Sequence, residues 1–366
     1  MVGTPPPPSR HGLLACSQVS ELASGIDALY LSGRGVLPTD VRERLEGLKA
    51  AAIEADNPVA AELAGEEFRV SPRSFGRYKF RLAHEAGLVG ITPSEILPTL
   101  RIQPRAEFLH AVGPSEALRF FEALGPELVE GPVQWGLSRL DLFCDVQGWE
   151  LDGDDRHDFV CRADRLDTHE EGAAFTGLEF GRRTTKTVCA RIYDKTRQIE
   201  REGLDWWPTI WGEAFDPERP VLRIEFELGR QGLGEYGIRS PLEGLDGAPR
   251  LWASVTDDWL SYRIRTEDGT KSRWPVSPEW ARIQQATLRA EAIGTDRVRA
   301  GRRQGDLRRL VPQLVGYLAT TGAVLGLDDF GSVLGALRVL VADDEDRRGV
   351  EFRDRVTSKR EERRPS

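Results

Sequence analysis

The chain has 366 residues, 40% hydrophobic and 30% charged, which is ordinary globular composition and length enough for two or three domains. No apolar run approaches the ~18 residues that span a bilayer, and the opening Met-Val-Gly-Thr-Pro-Pro-Pro-Pro lacks the basic and apolar regions of a secretory signal. The formal net charge of −9 weighs against a polyanionic partner, although the charge is unevenly spread. In chain order, residues 1–20 are Pro-rich and expected to form a disordered arm. A strand is predicted at 25–31 and a helix at 40–56, where Val41, Leu45, Leu48 and Ile53 recur at helical spacing. A hairpin over 67–84, turning at 74–76, a strand at 97–109 and a short helix at 114–124 capped by Ser115 complete this stretch.

The pattern then restarts, with a strand at 135–146, a helix at 154–165, a hairpin at 174–195 turning near 182–185, and a strand at 220–229. Three local matches recur in the same order. Ile26-Asp27 matches Leu140-Asp141, Phe80-Arg81-Leu82-Ala83-His84-Glu85 matches Ala190-Arg191-Ile192-Tyr193-Asp194-Lys195, and Leu100-Arg101-Ile102-Gln103 matches Leu222-Arg223-Ile224-Glu225. The expected fold is therefore α+β: two related sheet-plus-helix halves, 21–133 and 134–266, built on a duplicated, mainly antiparallel sheet. A C-terminal helical region at 277–342 follows, with helices at 278–293, 304–325 and 330–342, and then a charged, fraying tail at 343–366.

Strand alternation sorts the polar residues onto one face. Arg139, Asp141, Phe143 and Asp145 share a face, as do Arg191, Tyr193 and Lys195, and Arg223, Glu225 and Glu227. Neighbouring strands would bring acids, a phenol and cations together, an assembly suited to phosphoryl transfer. Asp141 and Glu225, with Asp145 or Glu227, offer hard oxygen ligands for Mg²⁺ or Mn²⁺. Tyr193 would attack phosphorus, while Lys195, Arg191 and the metal favour its phenolate. The plainer explanations are a half-buried strand aromatic for Tyr193 and cross-strand salt bridges for the carboxylates.

Two segments are basic: 176–201 carries seven Lys and Arg against three acids, and 281–310 eight against three. Arg182, Arg183 and Lys186 at the predicted hairpin turn, and the alternating Arg77, Lys79 and Arg81 of the first half, are candidate phosphate contacts. Trp206, Trp207 and Trp211 either stack unpaired bases or anchor the core. The four cysteines lack CxxC spacing, which suits a reducing cytoplasm. The five histidines contain no His-x-His pair, and no Gly-rich stretch ends in Lys-Ser/Thr, so neither a histidine-metal nickase nor an NTPase site is indicated.

Arg139-Leu140-Asp141 with Asp145, then Arg191-Ile192-Tyr193-Asp194-Lys195, then Arg223-Ile224-Glu225 resemble, in order and spacing, the plasmid rolling-circle replication initiation factor family (Rep_trans), which also includes relaxases of conjugative elements. The resemblance covers roughly residues 25–265. It implies nicking and rejoining of one DNA strand at an origin hairpin or single-stranded region through a covalent 5′-phosphotyrosine, with topoisomerase-like closing, a carboxylate-bound metal and cooperation with a host helicase. It maps the nucleophile onto Tyr193 and metal ligands onto Asp141 and Glu225. A second copy of the chain is a further expected partner; a membrane is not. The rival reading is a non-catalytic origin-binding or regulatory protein, because in the first half Ala83 stands where Tyr193 does and Gln103 where Glu225 does.

Overall fold

The computed structural model describes residues 19–172, 174–183, 188–288 and 295–362. Thirteen strands occur among them: β1 (Ser20–Val36), β2 (Val59–Leu63), β3 (Glu66–Val70), β4 (Phe80–His84), β5 (Gly87–Ile91), β6 (Leu100–Pro104), β7 (Glu130–Gln147), β8 (Phe159–Cys161), β9 (Leu166–Glu171), β10 (Ala174–Phe180), β11 (Val188–Asp194), β12 (Leu222–Gly229) and β13 (Leu260–Tyr262). The fold is α+β, as the sequence predicts. Eleven strands make one antiparallel sheet in the order β2-β3-β4-β5-β6-β1-β7-β12-β11-β10-β9, and β13 pairs with β8 in a separate ribbon.

The centre of the sheet is the pairing of β1 with β7, which runs from Ser20 opposite Gln147 to Val36 opposite Glu130. Each half extends outward from its own first strand: β6, β5, β4, β3 from β1, and β12, β11, β10, β9 from β7. The duplication is thus visible in topology, but one residue match is corrected by it. β6 corresponds to β12, yet the strand beside β6 is β5, so the counterpart of Tyr193 is Gly90 rather than Ala83. Gly90 lies opposite Arg101 as Tyr193 lies opposite Arg223.

Period-two alternation buries Leu29, Leu31, Ile102, Leu140, Leu142, Ile192, Ile224 and Phe226 in the main core, against the helices at Thr39–Glu54, Pro114–Glu122 and Pro241–Ser254. The last helix opens on a capping box in which Ser240 accepts from the Glu243 amide and Glu243 accepts from the Ser240 amide. A smaller apolar cluster lies on the opposite face, where Trp206, Trp207 and Trp211 pack with Ala111, Phe143, Ile199 and Val221. All three tryptophans are buried, so the core-anchor alternative holds.

Several local expectations are corrected. No α-helix forms over 154–165. Asp155 is buried and accepts hydrogen bonds from the Tyr262 hydroxyl (2.7 Å) and the Asp152 amide (2.6 Å), and the chain continues as a single 3₁₀ turn and β8. The strand predicted at 97–109 ends at Pro104, and the helix Ala106–Val112 follows. The hairpin at 67–84 is present as β3 and β4, flanked by strands β2 and β5, which the sequence reading missed. The first strand begins at Ser20, inside the expected arm; the rest of that arm, residues 1–18, lies outside the described residues. The C-terminal region is helical at Thr295–Leu325 and Phe330–Arg348, and the expected fraying tail instead carries a helix at Phe352–Glu362. Residues 289–293 of the helix expected at 278–293 lie outside the described residues; the helix itself runs Pro278–Gln284.

Gly177 on β10 sits opposite Tyr193, and a Cβ there would come within 2.5 Å of the Ile192 carbonyl oxygen and 2.9 Å of the Tyr193 Cβ. Backbone cannot yield as a flexible side chain can. Gly177→Ala is expected to cost about 1–3 kcal/mol of stability, measured as a lower urea midpoint at unchanged m-value; an unchanged midpoint would show that Tyr193 does not need this close approach.

Candidate active site

Residues directly opposite in an antiparallel pair share a sheet face. Asp141 lies opposite Glu227, Phe143 opposite Glu225, and Asp145 opposite Arg223. Glu225 in turn lies opposite Arg191, and Arg223 opposite Tyr193. The polar face read from alternation is therefore real and contiguous across β7, β12 and β11. Lys195 is the first residue of the helix Lys195–Glu202 and not part of the strand. It stays on this face, buried, with its ammonium 4.4 Å from the centre of the Trp207 ring and 6.0 Å from that of Tyr193. Asp194 caps that helix by accepting from the Arg197 amide.

The Tyr193 hydroxyl donates to Glu225 Oε2 at 2.9 Å, and Arg191 donates to the other oxygen of the same carboxylate. Burial raises the Tyr193 phenol well above its usual value, and the Glu225 charge raises it further, against Arg223 and Arg191. The expectation that nearby cations hold a phenolate is thus corrected: the resting group is a phenol aimed at a carboxylate. Glu225 is itself buried, but Arg191 and Arg223 hold its carboxyl below the ordinary glutamate value, so it is ionised and able to accept the proton. Lys195 is depressed to about 8, first by burial and then by Arg223.

Arg223 organises this site. Its side chain is fully buried between the rings of Phe143 (4.2 Å) and Trp207 (4.1 Å). It donates to both oxygens of Asp145 at 2.6 and 2.8 Å, and its Nη1 lies 3.2 Å from Asp27. Trp211 Nε1 donates to Asp145 at 2.8 Å, and the His110 ring meets Asp27 at 3.3 Å. Asp27 occurs where the register between β1 and β7 shifts, an extra residue that re-aims a side chain onto this face. Asp27 and His110 were missed as site residues. Asp27 was visible in the sequence only as a repeat match, and His110 had no signal because its role depends on a helix folding over β1.

The four carboxylates proposed as metal ligands are all on this face, but each turns toward a cation. Asp141 accepts from Arg139 Nε at 2.7 Å and again from its Nη2; Glu227 meets Arg139 and Arg183, both at 3.0 Å; Glu225 meets Arg191; and Asp145 meets Arg223. Among the described residues no three His, Cys, Asp or Glu side chains converge as a metal shell would. The oxygen chemistry suits a hard cation, but this arrangement does not: guanidinium groups hold the positions a cation needs.

The proposed DNA contacts are dispersed. Arg183 is tied to Glu227, Arg182 adjoins it, and Lys186 lies outside the described residues. Arg77, Lys79 and Arg81 do not form one row. β4 begins after Lys79, whose Nζ meets Glu46 at 2.5 Å on the helix Thr39–Glu54, whereas Arg77 is exposed and Arg81 lies on β4 opposite Gly90. A groove of about 450 Å³ opens beside Tyr193 and Arg191, lined also by Glu170, Glu171, Glu179, Asp194, Arg197 and Arg201. Arg191 Nε is buried there without a hydrogen-bond partner.

No family model matches the sequence, and no curated protein matches it. Among solved structures, the chain is similar to a rolling circle replication initiator protein from Geobacillus stearothermophilus, at 14% identity and a TM-score of 0.43, over 73% of this chain and 98% of that one. No helix among the described residues is long and apolar enough to cross a membrane.

Asp141 is pushed up to about 7, first by burial and then by Glu225 and Glu227, against its bond to Arg139. A carboxyl raised in the folded state contributes stability fully below its unfolded value near 4 and loses it as pH rises through about 7. Asp141→Asn cannot ionise, so its urea midpoint relative to wild type should be higher at pH 8 than at pH 5. An offset that does not change with pH would show that Asp141 is ionised throughout.

Proposed function

We propose that this protein is a replication initiator or DNA relaxase that nicks and rejoins one DNA strand at an origin, with Tyr193 as nucleophile. The observation that carries the reading is the hydrogen bond from the Tyr193 hydroxyl to the ionised Glu225, on a face that also holds Arg191 and Arg223. A phenol alone is a poor nucleophile at neutral pH. A carboxylate already accepting its proton removes that barrier by general-base catalysis.

In the proposed step, the phenol oxygen bonds to phosphorus, its proton passes to Glu225, and the bond to the 3′-oxygen breaks. The 3′-oxygen leaves as a hydroxyl by taking a proton from Lys195 or from solvent, and the 5′-phosphate stays on Tyr193. The reverse step reseals the strand, because the ester is exchanged rather than hydrolysed. Arg191 offers its unpartnered Nε–H to the phosphate, and Arg223 supplies fixed positive charge from beneath.

Mg²⁺ or Mn²⁺ held by Asp141 and Glu225, with Asp145 or Glu227, is a separate proposal. Entry of either ion requires Arg139 or Arg191 to let go of its carboxylate, and Asp145 is locked between Arg223 and Trp211. The non-catalytic origin-binding reading draws support from the raised Tyr193 phenol and from a groove that is not cationic.

Tyr193→Phe removes one hydroxyl and adds no volume, so it should fold as wild type and lose all covalent attachment to a labelled origin hairpin on a denaturing gel. Glu225→Gln, which keeps shape but cannot take the proton, should slow attachment by about 100- to 10,000-fold. A covalent band that survives Tyr193→Phe would place the nucleophile elsewhere. The absence of any band from wild type would favour the binding-module reading. EDTA tests the separate metal proposal: on that proposal it stops the reaction and Mg²⁺ or Mn²⁺ restores it, whereas full activity in EDTA would make the carboxylates ion-pair partners and nothing more.

A further inference from the structure

The polar face does not stop at β7. Tyr30 on β1 lies opposite Arg139, and Ser32 is opposite Arg101 on β6, which is opposite Gly90 on β5, which is opposite Arg81 on β4. A groove of about 1060 Å³ lies on this face where the two halves join, more than twice the volume of the one beside Tyr193. Its charged lining is Arg77, Arg101, Arg139 and Arg230 against the single carboxylate Glu227.

The duplication explains why Arg101, at the centre of this lining, has no acid beside it. Arg101 and Arg223 are equivalent by topology, each placed opposite its half's first strand. Arg223 faces Asp145 and has Glu225 two residues on; Arg101 faces Ser32 and has Gln103 two residues on. The first half has kept the arginine and holds neutral groups where the second half holds acids. Among the described residues, Arg77, Arg101 and Arg230 each lack a carboxylate within ion-pair distance, and the guanidinium of Arg101 lies 4.7 Å from the centre of the Phe75 ring. In place of Tyr193 there is Gly90, whose open side is filled by the rings of Phe75 and Tyr78, so the chemistry-bearing position is closed off. What is left is a groove with a positively charged lining on a protein of net charge −9.

We propose that this groove binds single-stranded DNA, with Arg101 as its central phosphate contact and Arg77 and Arg230 at its edges. The proposal deepens the strand-transfer reading and rests on it for the identity of the polyanion. Four strand spacings separate β6 from β11, on the order of 20 Å, so the bound segment is a few nucleotides away from the one presented to Tyr193. The groove beside Tyr193 is lined by four acids against three arginines and cannot concentrate a polyanion by charge; the larger groove supplies that attraction and sets the strand's path across the sheet.

The test is equilibrium binding of a fluorescent oligothymidylate of about a dozen nucleotides, followed by anisotropy over a range of salt. Gln103→Glu restores to Arg101 the acid that the second half has, without changing shape, and should weaken binding. Arg101→Ala should weaken it by about tenfold and lower the log–log salt slope by roughly 0.7 for one lost phosphate contact. Thermal melts confirm that each variant is folded, and Gln103→Glu, being isosteric, serves if Arg101→Ala is not. Wild-type affinity and slope in folded Gln103→Glu and Arg101→Ala would overturn the proposal. Inorganic phosphate that competes as well as the oligonucleotide, phosphate for phosphate, would also overturn it, by reducing the groove to an isolated anion site. Covalent attachment by wild type is scored separately. Loss of oligonucleotide binding in these variants with no adduct from wild type supports the groove and sinks the strand-transfer reading; an adduct with unaltered binding in the variants does the reverse.

Discussion

β1 and β7 pair along nearly their whole length, and most of what the molecule can do depends on that pairing. Each is the first strand of its half, and neither half alone would have a covered inner edge. An unpaired edge of that length would expose a row of unmet backbone donors and acceptors. Joining the two edges satisfies both and merges two modest sheets into one. It also fixes relative position: the face bearing Tyr193 and the face bearing Arg101 become one surface. The register shifts within the pair matter as much as its length, because one of them sends Asp27 from β1 across to Arg223 on β12.

Arg223 shows how a charge can be held at the bottom of such a surface. An unpaired buried guanidinium would be prohibitive. Here Asp145 takes two hydrogen bonds from it, Asp27 lies close by, and Phe143 and Trp207 cover its two flat faces. The result is a rigid positive charge beneath Glu225 and Tyr193. A pair of this kind adds little to net stability, but it pre-organises the groups above it. The three tryptophans are part of that device: Trp211 completes Asp145, and Trp207 covers both Arg223 and Lys195.

The two halves solve different electrostatic problems with one scaffold. On the second-half polar face Arg139, Arg191 and Arg223 each meet a carboxylate. At the equivalent first-half positions Ser32 and Gln103 stand where the second half has acids, and Arg101 has no carboxylate partner among the described residues. The overall charge of −9 is unevenly spread over these faces, and the field a ligand meets is set by the local face and not by the sum.

How much of this was legible depended on distance along the chain. Alternation in 139–145, 191–193 and 223–227 told which side chains share a face, because period two is a property of the strand backbone itself. Order and type of the main elements followed from the same local patterns, as did the repeat that relates β6 to β12. The sequence could not tell which carboxylate meets which arginine, since that depends on register between strands up to 78 residues apart, as in Arg223 with Asp145. It misassigned the partner of Tyr193 in the first half, because the Phe80–Glu85 match competed with a neighbour relation visible only in the sheet. It also read a helix at 154–165, where a buried Asp155 serves Tyr262 more than a hundred residues away. Local periodicity thus determined the faces and the candidate residues. Only the tertiary structure decided their pairing, and with it which charges are spent on each other and which remain for a ligand, because burial makes that choice energetically decisive.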